Sequence, residues 1–160
     1  MLNVRIILEI IIGTIVATFI YSFLHYLFVT IPERNHQLQV KSTVDDQISM
    51  LMKKVKQNGE VKGLYFNSSK VLTNVWGRGV MVFEYEFRVE TTLKINQLRS
   101  LTELELLNLK IPQAESDDIE TNLIITDFWL NKNQLVFDVA NRTNSATQEY
   151  VKDIIKMDRK

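Results

Sequence analysis

One stretch near the N-terminus constrains this chain more than any other feature. Residues 10–30 contain no Asp, Glu, Lys or Arg, and the stretch is 21 residues long. As a helix it would extend roughly 31 Å, which matches a hydrocarbon core about 30 Å thick. Pro32 lies two residues after its end. We therefore predict a single transmembrane anchor over residues 1–31.

The alternative to a permanent anchor is a cleaved signal peptide. Signal peptides have a shorter apolar region and small residues before the cleavage site. Here the C-terminal part of the run carries Tyr21, Phe23, Tyr26 and Phe28, whose rings suit a membrane–water interface. A buried soluble helix is rarely apolar on every face for this length. The pattern therefore favours a retained anchor.

The flanking charges orient this anchor weakly. Arg5 lies before it. Arg34 and Lys41 lie after it, where Glu33 reduces the net positive charge. Because few residues precede the anchor, we expect a cytoplasmic N-terminus and an extracytoplasmic C-terminal domain. The chain is rich in Ile, Lys, Asn and Leu, with 5 Gly and 2 Pro. We interpret this as a bacterial protein of the plasma (inner) membrane.

Composition excludes several functions of the soluble part. The chain has no cysteine, so disulfides and thiol chemistry are excluded. Of the 19 basic and 19 acidic residues, only Arg5 and Glu9 precede Pro32, so the remainder is balanced and gives no footprint for nucleic acid. The 2 histidines, His25 and His36, lie in or beside the anchor. We therefore predict no enzymatic activity, no cofactor and no metal site.

The rest of the chain predicts a short tether at 32–41 and one domain over 42–160. Ser42 and Asp45 have capping-box spacing for a helix start, and Asn58-Gly59 is a helix-end signal. Between them an apolar stripe at helical spacing predicts the buried face: Val44, Ile48, Leu51, Met52 and Val55.

Alternating and periodic segments predict the remaining elements. The predicted strands are Leu64–Phe66 (short), Val71–Trp76, Val80–Glu90, Asn122–Leu130 and Gln134–Ala140. Gly77-Arg78-Gly79 and Asn131-Lys132-Asn133 supply the hairpin turns. A helix over Lys94–Leu109 has leucines on two faces, both of which we expect to be buried. A C-terminal helix is predicted over 145–157, with Ser145 and Gln148 as a capping box.

The two hairpins indicate an internal repeat. Leu72-Thr73-Asn74-Val75-Trp76 aligns with Ile125-Thr126-Asp127-Phe128-Trp129, which predicts repeat units at 42–90 and 94–141. The alternative is that any two apolar hairpins look alike. If the repeat is real, Trp76 and Trp129 are at least partly buried. The predicted fold class is α+β: an antiparallel sheet with helices on one face, as a ferredoxin-like αββαββ plait in permuted order.

This layout resembles that of inner-membrane assembly proteins of type II secretion and type IV pilus systems. The matching parts are Leu8–Thr30, Thr43–Asn58 and the two helix-hairpin units. The resemblance implies a non-catalytic, dimerising scaffold. Conjugation-channel assembly proteins have a similar layout, but here a long helix divides the strand pairs.

Several residues are candidate partner contacts. Glu9 pairs with Arg5 four residues before it or with a basic group on a neighbouring helix. Glu84 and Glu86 lie on the polar face of a strand, and the last helix carries Tyr150, Val151 and Ile154. Residues 8–30 would contact membrane lipid, and the domain would bind other complex subunits or a second copy. We expect a structural or assembly subunit of an envelope complex; the alternative is a membrane-tethered sensor or regulatory binding protein.

Overall fold

The structure, a computed structural model, describes residues 4–72, 79–109 and 122–158. The chain divides into two compact units, Met1–Val40 and Lys41–Lys160. In chain order the elements are α1 (Val4–His25), a π-helical turn (Tyr26–Thr30), α2 (Ile31–Gln57), β1 (Val61–Val71), β2 (Val82–Thr91), α3 (Ile95–Leu107), β3 (Leu123–Asn131), β4 (Gln134–Asn141) and α4 (Ser145–Asp158).

The first unit is helical throughout its described part. No residue of α1 is buried, and the Arg5 Nε lies 3.1 Å from the Glu9 Oε1, as the spacing predicts. The continuous helical stretch Val4–Gln57 contains the one segment, among the described residues, that is long and apolar enough to cross a membrane by length and composition. Pro32 lies in the first turn of α2 and follows the wider π turn. Proline has no backbone N–H to donate and its ring crowds the preceding helical turn, so the wider π turn lies where regular α-helical hydrogen bonding is interrupted.

The segment predicted as a tether is therefore helical. Residues 32–41 belong to α2, and the helix continues through Ser42 without a new start. The predicted capping box at Ser42 and Asp45 is wrong, because no helix begins there. Asp45 instead accepts hydrogen bonds from the Lys41 Nζ and the Tyr85 hydroxyl.

The domain is built on one antiparallel sheet with strand order β1-β2-β4-β3. β1 is Val61–Val71, which includes the short strand expected at Leu64–Phe66 and ends where the predicted strand Val71–Trp76 begins. Residues 73–78 lie outside the described part of the chain. The polar run Asn67-Ser68-Ser69-Lys70 has no alternation of apolar and polar residues, so the sequence did not predict this part of β1 as strand. An edge strand need not be apolar on either face.

The order helix-strand-strand occurs twice, as α2-β1-β2 and α3-β3-β4. Of the first aligned motif the structure describes Leu72 alone, which follows β1, whereas Ile125 of the second motif lies inside β3. The alignment of the two hairpin motifs therefore stays a prediction. Trp129 lies in β3 and is 36% exposed. Trp76 lies outside the described residues, so the expectation for it stays a prediction.

The core lies between α2 and one face of the sheet. All five residues of the predicted stripe on α2 are buried, which confirms that prediction. They face a buried row on β2, namely Phe83, Tyr85, Phe87 and Val89. Phe137 on β4 stacks between three of its neighbours, with ring centroids 5.8 Å from Tyr85, 5.9 Å from Phe87 and 5.8 Å from Phe128.

The last helix corrects the expectation that helices cover one face alone. Val151 of α4 packs on Val82 and Ala140, whose neighbours Phe83 and Val139 face the α2 side. The Thr147 hydroxyl accepts a hydrogen bond from the Met81 N–H, which fixes α4 to the start of β2. The helix is capped by Asn144, whose Oδ1 accepts from the Thr147 N–H, and not by the predicted Ser145 box.

On α3 a single face is buried. Leu98, Thr102 and Leu106 are buried, whereas Leu104 is 56% exposed and Leu107 is 71% exposed. The prediction of two buried faces is therefore wrong. The helix ends beside α2, where the Lys54 Nζ donates to the Asn108 carbonyl at 3.1 Å.

Candidate docking grooves and a carboxylate row

A groove follows the β1 edge of the sheet, and we call it the β1 groove. It encloses about 520 Å³ between α2 and the middle of β1 and β2. Its apolar lining consists of Ile48, Met52, Leu64, Phe66 and Phe87. Phe66 is 62% exposed although its ring makes an edge contact with Phe87 at 5.6 Å. An aromatic ring this exposed beside an apolar groove is typical of a contact surface.

The polar lining of the β1 groove has two parts. Lys53 and Lys56 lie exposed on α2, and the Lys56 Nζ is 6.0 Å from the Tyr65 ring centroid. Deeper in the groove the Tyr85 hydroxyl donates to Asp45 at 2.6 Å. Burial, and then this hydrogen bond to a carboxylate, raise the pKa of Tyr85 above its ordinary value. The tyrosine therefore stays neutral while the rim is cationic.

A smaller groove of about 330 Å³ follows the opposite edge, and we call it the β3 groove. Leu106 and Leu107 line it from α3, Ile154 and Ile155 line it from α4, and residues 123–126 of β3 lie along it. Its charged members, Arg99 and Glu103, pair with each other at 2.8 Å. Both edges of the sheet thus lie beside an apolar groove, but the β1 groove alone has a cationic rim among the described residues.

The two predicted glutamates are engaged within the sheet. Glu84 pairs with Lys70 at 2.8 Å. Glu86 accepts hydrogen bonds from Asn67, from Ser68 at 3.0 Å and from Gln134 at 2.6 Å. These hydrogen bonds lower the pKa of Glu86. Glu86 therefore ties three strands together and offers little to a partner.

The predicted contacts on the last helix separate into core and surface. Val151 is 3% exposed and belongs to the core under α4, and Tyr150 is half-buried beside it. Ile154 is half-buried and reaches the β3 groove. Exposed Ile155, which the sequence argument did not name, lies next to it in the same groove.

Sequence reasoning missed a row of charged residues that crosses all four strands. Lys70 lies opposite Glu84, Glu84 opposite Asp138, and Asp138 opposite Asp127. We call these four residues the carboxylate row. Directly opposite residues on neighbouring strands have Cβ atoms about 5 Å apart, and like charges there destabilise the sheet. The row therefore holds three acidic groups and a single lysine.

Asp138 is the unusual member of the carboxylate row. It is 7% exposed, and its Oδ1 has no hydrogen-bond partner within the described residues. Burial, and then the negative charges of Glu84 and Asp127, raise its pKa to about 7. A charged residue in an otherwise apolar strand, Leu135-Val136-Phe137-Asp138-Val139, is the sequence signal that could have identified it.

No family model, no curated protein and no solved structure matches this chain significantly. Within the described residues there is also no group of three His, Asp or Glu side chains placed to hold a metal ion. The grooves, the sheet edges and the carboxylate row are therefore the features from which a function can be proposed.

Proposed function

We propose that this protein is a membrane-anchored, non-catalytic assembly subunit of a bacterial envelope complex that docks an extended segment of another subunit in the β1 groove. The observation that carries this proposal is the exposed Phe66 on a long edge strand beside an apolar groove. β1 is 11 residues long and pairs with β2 on one side. The other side of such a strand presents backbone N–H and C=O groups to solvent.

The membrane part of this proposal rests on α1. Its length and composition suit one crossing, and none of its residues is buried. We propose a plasma-membrane location with the N-terminus in the cytoplasm and the domain outside it. A domain held at a membrane by one helix is suited to recruiting or positioning other subunits.

The resemblance to secretion, pilus and conjugation assembly proteins belongs to the same proposal. A ferredoxin-like plait, permuted to begin with its first helix, has the strand order β1-β2-β4-β3 that this sheet adopts. The repeated helix-strand-strand order is consistent with it. We propose this plait as the domain's fold and a scaffold role, in a secretion, pilus or conjugation system, as what it serves.

The occupant of the β1 groove is an extended, apolar and acidic peptide segment. An added strand gains main-chain hydrogen bonds from the edge, and its alternate side chains enter a neighbouring groove. Here Phe66 and Met52 supply apolar contacts, whereas Lys53 and Lys56 attract carboxylates at the rim. A charge at the rim of an interface mainly accelerates association, and it favours partners that carry the opposite charge.

Site-specific photocrosslinking in native membranes tests this docking. A photoreactive benzoylphenylalanine placed at position 66 should form an adduct, and the same group at position 157, where Met157 is 63% exposed on α4, should not. Mass spectrometry of the adduct should identify an extended segment with alternating apolar and acidic residues. An adduct with a second copy of this chain would identify the scaffold as a homo-oligomer and reject a different subunit as occupant.

Charge reversal provides the matched control. Lys53→Glu combined with Lys56→Glu should reduce the adduct at position 66, because the rim would then repel an acidic segment. Lys152→Glu reverses a charge on exposed α4 and should leave the adduct intact. Equal adducts at positions 66 and 157, or no adduct at position 66, would contradict the proposed function.

A further inference from the structure

The carboxylate row has three carboxylates but one lysine. Lys70 is its one basic member, and its Nζ lies 2.8 Å from a Glu84 oxygen. Asp127 is exposed, and its Oδ1 accepts from the Phe128 N–H. Within the described residues no basic side chain pairs with Asp127 or Asp138. Among the described residues, these two neighbouring carboxylates on adjacent strands therefore have no paired cation, and Lys70 acts on Asp138 only through its charge.

Asp138 makes this imbalance costly. Its Oδ1 is buried without a hydrogen bond, and the residue is 7% exposed. A buried carboxylate without a partner is strongly unfavourable, whereas the same group paired with a hydrogen-bonding cation is not. Such a group is also a common marker of a functional site.

The surroundings of the row favour an organic cation over a metal ion. The described carboxylates do not converge as a set of three metal ligands. They form a line along the sheet, and Tyr150 of α4 lies close enough for the charges of Asp138 and Asp127 to act on its hydroxyl. A planar guanidinium or a primary ammonium carries several donors and fits acceptors arranged in a line.

We propose that the carboxylate row is a binding site for a guanidinium or primary ammonium group, with Asp127 and Asp138 as its main acceptors. The cation approaches over exposed Asp127, and Glu84 supplies a third negative charge on the far side of Asp138. Lys70 remains bound to Glu84 and leaves the charges of Asp127 and Asp138 for the added cation. This site is separate from the β1 groove and does not depend on the docking proposed there.

Two probes distinguish the possible sources of the cation. Spermidine represents a small amine, and a capped tripeptide with a central arginine between two valines represents a partner's side chain. Binding to the full-length protein in a non-ionic detergent is measured by calorimetry at about pH 8, where Asp138 is ionised. At least one probe should bind saturably, and the peptide with citrulline in place of arginine should not.

Isosteric variants test whether the probes bind at the carboxylate row. Asp138→Asn and Asp127→Asn should each weaken binding by about tenfold or more, as loss of a charged acceptor does. Both keep the side-chain shape, and the amide oxygen of the second can still accept from the Phe128 N–H. Asp153→Asn on the exposed side of α4 is the control and should bind as the wild type does.

The same titration at about pH 5.5 gives an independent readout, because protonation of Asp138 removes one acceptor charge. Binding should weaken there in the wild type and change much less in Asp138→Asn. Binding by spermidine alone identifies a small amine, and binding by the peptide alone identifies a protein side chain. Failure of both probes to bind, or binding that both row variants leave unchanged, would overturn the proposal.

Discussion

Replacement of Asp138 by asparagine should stabilise the domain above neutral pH. Asp138 is buried, and its pKa is raised from 3.8 to about 7 by burial and by the charges of Glu84 and Asp127. In the unfolded chain the carboxyl ionises near its ordinary value. The folded protein therefore binds one more proton than the unfolded protein between these two values, so its stability falls as pH rises through that window.

The magnitude follows from the two pKa values. A difference of one pH unit is worth about 1.4 kcal/mol, so the gap between 3.8 and about 7 corresponds to at most about 4 kcal/mol. The contribution of protonated Asp138 is fully present below about pH 4 and is lost by about pH 8. An asparagine at this position would be neutral throughout and nearly the same size, so Asp138→Asn should abolish this slope.

Urea unfolding of the full-length protein in non-ionic detergent, followed by near-UV circular dichroism, measures the effect. Asp138→Asn and the wild type should be similar at about pH 4.5 and differ by up to about 4 kcal/mol at about pH 8, with the variant more stable. Asp153→Asn is the control, since that side chain is 69% exposed. A gap that does not change with pH, or a variant less stable than the wild type at about pH 8, would refute the reasoning.

Three further outcomes are expected. Leu51→Ala should destabilise the domain by about 2–5 kcal/mol, because Leu51 is 0% exposed, whereas Leu107→Ala at 71% exposure should change stability little in the same urea assay. Thr147→Val should cost about 1–3 kcal/mol, because it leaves the buried Met81 N–H without its acceptor; retention of wild-type stability would show that α4 does not depend on this hydrogen bond. Alkaline phosphatase fused after Lys160 should be active, and the fusion should stay in the membrane pellet after carbonate washing; an inactive fusion would reverse the proposed orientation.

The sequence by itself determined the elements whose residues repeat with a strong period. The uncharged run at 10–30 and the stripe on α2 both follow helical or all-apolar patterns, which depend on local geometry alone. The alternation in β2 and the turn around Lys132, whose φ is +53°, were likewise predictable. These features need no knowledge of what packs against them.

Tertiary structure decided which faces are covered and which charges meet. β1 is an edge strand, so its polar residues Asn67–Lys70 carry no period, and its position follows from pairing with β2. The second leucine face of α3 stays exposed, because no described element packs on it. Opposite residues lie on different strands, so the register that aligns Glu84, Asp138 and Asp127 appears in no local motif. Pairing between strands creates both the β1 groove and the carboxylate row, because each is formed by residues from several segments of the chain.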